Sequence, residues 1–301
     1  MDGIINVYKE AGFTSFDVVA KLRGILKQKK IGHTGTLDPD AQGVLPVCLG
    51  RATKACDYLT AKDKTYRAVL RLGITTDTQD MSGRILKEED VKIGRTALEE
   101  IIKGFTGKIS QVPPMYSALK VDGRKLCDLA RKGIEVERKA REITVYSIEI
   151  LEVDMPLVTM QVHCSKGTYI RTLCHDIGKA AGCGGCMERL LRTKTAGFCV
   201  EDAHRLSEIE AIVNGTDKKG RRIEDILVPT ERVLTEYPKI TAEKGAEKLL
   251  ENGGILPLSR LQENGGILPG ICRMYDASGR FIGLYCYDGK KQVLKPEKMF
   301  L

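Results

Sequence analysis

Among the carboxylates of this chain, Asp38 has the setting that chemistry needs. It lies in Gly32-His33-Thr34-Gly35-Thr36-Leu37-Asp38-Pro39, at the head of a run to Gly50 that four glycines and two prolines punctuate. Such a run cannot settle into an uninterrupted helix and reads as a shaped loop. Pro39 pushes the residue before it toward an extended backbone, which points the Asp38 carboxylate away from the local turn. A carboxylate held in this way can serve as a nucleophile or a base; Asp-Pro is equally a common opener of an Asx turn. Arg171 is the second candidate, because it falls in the first turn of a helix, where a cation opposes the macrodipole at a cost of roughly 0.3–1 kcal/mol. That placement points to a nearby anion, a carboxylate or a phosphate, with a snorkelling side chain as the alternative. Tyr66 falls on the apolar face of a strand, and local sequence favours a core tyrosine with its hydroxyl satisfied. Cys183-Gly184-Gly185-Cys186, with Cys174-His175 upstream, is a lone C-x-x-C without a second spaced pair, a weak signal for metal or redox use.

The elements that must position these residues follow from the hydrophobic pattern. Thr14 and Asp17 offer a capping box, and Val18, Val19, Leu22, Ile25 and Leu26 recur at helical spacing up to Lys27-Gln28-Lys29-Lys30. Those lysines complement a helix C-terminus or meet phosphate. Val44 to Leu49 is an apolar stretch that anchors the loop to a core strand, and Lys64 to Gly73 alternates as a half-buried strand. Asp77, Asp80, Ser82 and Gly83 make a turn, and a helix runs from about Thr96 to Lys103. Pro113-Pro114 opens an excursion from the core, and from Lys120 through Arg141 it carries eight basic and four acidic side chains. This surplus suits an RNA-facing surface or a solvated helix laced with ion pairs. Ile143–Val153 and Leu157–Cys164 read as a strand pair, after which Thr168 caps a helix and Met187–Leu191 continue an apolar stripe.

After Pro229 and Pro238 the character changes to a small β-rich appendage, with a hairpin of Ile271–Asp276 and Phe281–Tyr285. Glu251-Asn252-Gly253-Gly254-Ile255-Leu256-Pro257 recurs as Glu263-Asn264-Gly265-Gly266-Ile267-Leu268-Pro269, too short a repeat for a solenoid and read as a lengthened loop. At 301 residues the chain can bury a substantial core, and its net charge of +8 favours a polyanionic partner without demanding one. No apolar run approaches the ~18 residues of a membrane span, and the start lacks a secretory leader, so the cytoplasm is the expected compartment. The ten cysteines then read mostly as buried thiols. Neither a P-loop nor a dinucleotide fingerprint is present, and no cofactor or metal is expected.

Four motifs in order carry a resemblance. They are Gly32–Pro39, Lys64-Thr65-Tyr66-Arg67-Ala68, Gln111-Val112-Pro113-Pro114-Met115-Tyr116-Ser117-Ala118-Leu119-Lys120 and Cys164-Ser165-Lys166-Gly167-Thr168-Tyr169-Ile170-Arg171. Together they resemble the bacterial tRNA pseudouridine-55 synthases, the TruB-type family, and the likeness extends from Asn6–Lys9 to Lys295–Lys298. It implies an α+β pseudouridine-synthase fold, a mixed and mainly antiparallel central sheet flanked by helices. The catalytic domain would span 1–238 with a basic RNA-contacting insertion at about 112–142, and 239–301 would form a small PUA-like RNA-binding domain. By the same resemblance Asp38 is the catalytic aspartate, Tyr66 the aromatic that stacks on the target uracil, and Arg171 the partner of Asp38. Tyr169 and Leu190 would line the base pocket, His33 would fill the space left by the departed base, and Lys64 and Lys120 would complete the substrate-binding set. Glu10, Cys127 and Leu191 depart from the family pattern at positions where proline, tyrosine and arginine are usual.

The implied activity is isomerisation of uridine 55 in the T-loop of tRNA: the base is flipped out, its C1′–N1 bond is broken, and it is rejoined through C5. The expected partner is the T-arm stem-loop, with no membrane, guide RNA or obligate protein partner, and with the protein a monomer. Two other readings compete, a uracil-releasing RNA N-glycosidase using a similar aspartate, and a tRNA-binding folding module with weak or no turnover.

Overall fold

The computed structural model describes residues 1–262 and 270–301 of the chain. It opens with β1 (Gly3–Lys9), α1 (Ser15–Ile25), β2 (Ile31–His33) and β3 (Gln42–Leu49). α1 starts where its capping box dictates: the Thr14 hydroxyl accepts from the Asp17 N–H at 3.1 Å and the Asp17 carboxylate accepts from the Thr14 N–H at 2.8 Å. Val18, Val19 and Leu22 bury its inner face against Ile5, Val7, Leu45 and Val47 of the sheet. α2 (Cys56–Thr60) then leads into β4 (Lys64–Leu72), the small antiparallel pair β5 (Ile74–Thr76) and β6 (Ile85–Glu88), α3 (Arg95–Lys103) and β7 (Gly107–Gln111).

The proline-led excursion holds β8 (Lys120–Val121), β9 (Arg124–Lys125) and α4 (Leu126–Ala130), with Leu126 and Leu129 buried. β10 (Arg141–Asp154) and β11 (Leu157–Cys164) form the expected hairpin, followed by α5 (Ile170–Ala180), β12 (Gly185–Thr195), β13 (Phe198–Cys199), α6 (Leu206–Val213) and β14 (Leu227–Val228). One expectation fails here. Thr168 does not cap α5: its hydroxyl turns back to Ser165 O at 2.9 Å, and Tyr169 occupies the cap position. The Met187–Leu191 stripe lies in strand β12, because Gly182 and Gly184 take φ of +75° and +71° and turn the chain out of α5.

Ten strands form the main sheet, in the order β14-β1-β3-β12-β4-β11-β10-β7, with β2 on β3 and β13 on β12. All of these pairs are antiparallel except β12 beside β3, where Leu191 faces Gln42 and Arg192 faces Gly43. That parallel contact presses the loop before β3 against the middle of the sheet. The remaining elements, β15 (Lys239–Thr241), α7 (Glu247–Glu251), β16 (Leu256–Pro257), β17 (Ile271–Tyr275), β18 (Phe281–Asp288) and β19 (Val293–Met299), build a second, five-stranded sheet. It has its own core around Leu250, Met274 and Tyr285, and it docks through Leu284 and Phe300 on Ile4, Val44 and Leu234. The first copy of the short repeat spans the end of α7 and β16; the second, 263–269, lies outside the described residues. Among the described residues no helix is long and apolar enough to cross a membrane, and no group of three or more His, Cys, Asp or Glu is placed to hold a metal. Cys183 and Cys186 are buried free thiols.

Candidate active site

The loop between β2 and β3 is fastened on both sides of Asp38. Lys9, at the end of β1 and fully buried, donates to Pro39 O at 2.8 Å and to Ala41 O at 2.6 Å. Ser15, at the start of α1, accepts from the Leu37 N–H at 2.9 Å, and Leu37 itself is buried. Ala41 N–H closes the turn on Asp38 O at 3.1 Å, so backbone makes this turn and the Asp38 carboxylate is left for another partner. Burial pushes the Lys9 ammonium down to about 8, a fall that the nearby Asp38 and Asp40 carboxylates partly oppose.

That other partner is Arg171. Its Nε lies 2.9 Å from Asp38 Oδ2 and its Nη2 3.1 Å from Asp38 Oδ1, a two-pronged contact. Nη2 also donates to Tyr116 O at 2.7 Å, while Nη1 donates to Thr78 O at 3.2 Å and to Asp80 Oδ2 at 3.4 Å. Each of the three guanidinium nitrogens has an oxygen partner. The cation in the first turn of α5 is thus paid back by two carboxylates and two carbonyls, and its position is over-determined.

Asp38 stands where two lobes of one cleft meet, of about 780 and 610 Å³, with Arg171 and Leu190 also bordering both. The accessible 36% of its side chain borders this confined space. Desolvation raises the Asp38 carboxyl above its ordinary value, Arg171 opposes the rise, and the Asp80 carboxylate adds to it. One guanidinium shared by two carboxylates does not fully offset the burial of Asp38.

The smaller lobe collects most of the remaining candidates: Lys64, Tyr66, Tyr169 and Leu190, together with Arg192. Tyr66 is 8% exposed, held in β4 between Val162 of β11 and Arg192 of β12. Burial pushes its phenol up and the Arg192 guanidinium beside its oxygen draws it down. Tyr169 is fixed by its backbone: the buried Gln111 amide accepts from its N–H at 3.0 Å and donates to its C=O at 3.2 Å. Lys64 is nearly buried, its ammonium on Thr60 O at 2.7 Å and on Lys62 O. His33 and Lys120 are not brought to the cleft wall. His33 is half-buried in β2 with Nδ1 2.9 Å from Gly35 O, and burial lowers its pKa; Lys120 is exposed on β8.

A carboxylate ion-paired to a buried arginine beside a tyrosine is an arrangement that the known proteins can place. A family model described as the TruB family pseudouridylate synthase N-terminal domain matches residues 23–170, and one for the tRNA pseudouridylate synthase B C-terminal domain matches 171–235. The chain belongs to the TruB pseudouridylate synthase family. It is 51% identical to tRNA pseudouridine synthase B of Lachnoclostridium phytofermentans over all of both chains, and 46% identical to that of Clostridium tetani over 94% of this chain and 95% of the other. Among solved structures it is similar to a Cbf5-Nop10-Gar1 complex (28% identity, TM-score 0.75) and to an H/ACA RNP bound to a substrate RNA containing 2′-deoxyuridine (26%, 0.74), each match covering 99% of this chain and 85% of that one.

Within this TruB-family fold, sequence reasoning missed four side chains at the site. Asp80 read only as a turn residue, yet its Oδ1 accepts from Thr78 and Ser82 while Oδ2 meets Arg171. Lys9 read as part of a motif without a task, although a lysine ending a strand of apolar residues was a visible signal of a buried clamp. Gln111 read only as the head of the Gln111–Lys120 motif. Arg192, 1% exposed, read as the end of an apolar stripe, and no local pattern marks it.

Proposed function

We propose that this protein converts uridine 55 in the T-loop of tRNA to pseudouridine, with Asp38 the acting carboxylate. The observation that carries this reading is the Asp38–Arg171 pair at the junction of the two lobes, beside Tyr66. A stacked and paired nucleotide must be extruded before its glycosidic bond is reachable, at a cost of roughly a few kcal/mol. Stacking on Tyr66 offsets about 1–3 kcal/mol of that, with Tyr169 and Leu190 shaping the rest of the pocket and His33 filling the vacated space in the loop. Arg171 keeps the carboxylate ionised against the desolvation that raises it, so Asp38 can add to the ribose or base, or take the 2′ proton. The C1′–N1 bond breaks, the uracil turns, and C5 joins C1′. No reagent is consumed. Lys64, Lys120 and the basic 112–142 segment engage the T-arm, and the 239–301 sheet adds RNA contact. The protein acts as a monomer, without a guide RNA; full-length likeness to the relatives named tRNA pseudouridine synthase B supports tRNA as the substrate.

The test is incubation with unmodified tRNA. Pseudouridine leaves RNA mass unchanged and is detected after chemical derivatisation at position 55. Free uracil would mean hydrolysis, and altered tRNA melting with unchanged bases would mean a folding module. Asp38→Asn is expected to bind tRNA and form no product; retained turnover removes Asp38 from the mechanism.

A further inference from the structure

Arg192 borders the base lobe, is 1% exposed, and has no carboxylate within 4 Å among the described residues. Its Nε is pinned to Val44 O at 2.7 Å, and its Nη2 has no hydrogen-bond partner among the described residues. An unpaired buried charge with an idle donor is a strained arrangement in a folded protein. Register gives it a neighbour: Arg192 lies directly opposite Tyr66 across β12 and β4, which puts both side chains on one face of the sheet with the guanidinium beside the phenol oxygen.

The reaction proposed above creates a charge that Arg192 is placed to meet. When C1′–N1 breaks, the bonding pair leaves with uracil and spreads over N1, O2 and O4. Arg171 has every nitrogen engaged with an oxygen, and the Lys64 ammonium spends two of its three N–H donors on carbonyls. Lys166 and Arg141 are exposed at the rim, where water screens them. We propose that Arg192 is a positioning residue for the detached base: it holds the Tyr66 ring on which uracil stacks and balances the negative charge uracil carries between cleavage and rejoining. The electron pair returns from C5 to C1′, and the proton lost from C5 is matched by one gained at N1, so nothing outside the substrate is needed. A cation already fixed in a dry site stabilises such a charge without having to reorganise. This role rests on the isomerase reading, since it has no task if no glycosidic bond is broken.

The experiment is single-turnover consumption of the target nucleoside in two tRNA transcripts, one with uridine and one with 5-fluorouridine. Fluorine stabilises the uracil anion by itself, so dependence on Arg192 must shrink. Arg192→Gln is expected to slow the uridine transcript about 100-fold, the scale for loss of one preorganised donor, and the fluorinated one about tenfold or less. Arg192→Lys keeps the charge and loses the pinned fork; about a tenfold loss with uridine and none with 5-fluorouridine is expected, and this variant carries the test if Arg192→Gln does not fold. Equal changes in both transcripts, including no change in either, overturn the proposal while leaving the isomerase reading intact. A parent protein that makes no pseudouridine in unmodified tRNA sinks that reading instead.

Discussion

Two guanidiniums border one cleft under opposite conditions. Arg171 is 5% exposed and shares its donors among two carboxylates and two carbonyls; Arg192 is 1% exposed and has one carbonyl, a neighbouring phenol and an idle nitrogen. Burial is the same, so the difference lies in what each charge is matched with. A saturated cation holds a geometry that exists before substrate arrives. An unsaturated one is matched to a charge that exists only during the reaction, and the resting fold carries its desolvation.

Truncating each arginine separates the two. Arg171→Met leaves two partly buried carboxylates and two carbonyls without the cation that joins them, and its stability to denaturant is expected to fall by about 3–5 kcal/mol, with pseudouridine formation lost. Arg192→Met removes a buried charge that had no carboxylate partner, so its unfolding free energy is expected to stay within about 1 kcal/mol of the parent while turnover drops. Equal destabilisation of the two variants in urea titrations would erase the contrast. Lys9→Met comes next in size. It leaves Pro39 O and Ala41 O without their buried donor, about 1–3 kcal/mol for each such group, and loosens the loop that carries Asp38. Turnover should fall with stability here; unchanged kcat would mean the clamp is not what positions Asp38.

This contrast between the arginines was only half legible in the sequence. Arg171 was marked by a local conflict, a cation in the first turn of a helix, and such a conflict needs an anion nearby. The capping box at Thr14, the alternation in Lys64–Leu72 and the glycine and proline pattern around Asp38 are likewise local, and the structure has each of them. Arg192 sits in an ordinary strand, and its burial comes from the parallel β3–β12 contact between residues some 150 positions apart. Asp80 was hidden for the same reason, since its turn gives no hint that α5 will bring Arg171 to it. Thr168 misled because a threonine ahead of an apolar stripe is a good cap by pattern, whereas here a free carbonyl at the end of β11 claimed its hydroxyl.

The smallest effect probes how Arg171 divides itself between its two carboxylates. In the folded protein Asp38 titrates above its ordinary value of 3.8, and the Asp80 charge is one cause of the rise. Its ionised form is the active one, so kcat/KM should fall as pH drops through that raised value, and the acid limb of the kcat/KM profile should lie above pH 3.8. The sign for stability is the reverse of a salt-bridged aspartate's: the folded state binds this proton more tightly than the unfolded chain does, so Asp38 favours folding below its folded pKa and loses that contribution as pH rises through it. Asp80→Asn removes one source of the rise and leaves Arg171 mainly to Asp38. The acid limb should then move to lower pH, with the variant keeping a larger share of its maximal rate on that limb than the parent does. A limb that stays in place or moves upward would mean that Asp80 does not act on Asp38 through their common arginine, and that Arg171 serves the two carboxylates independently.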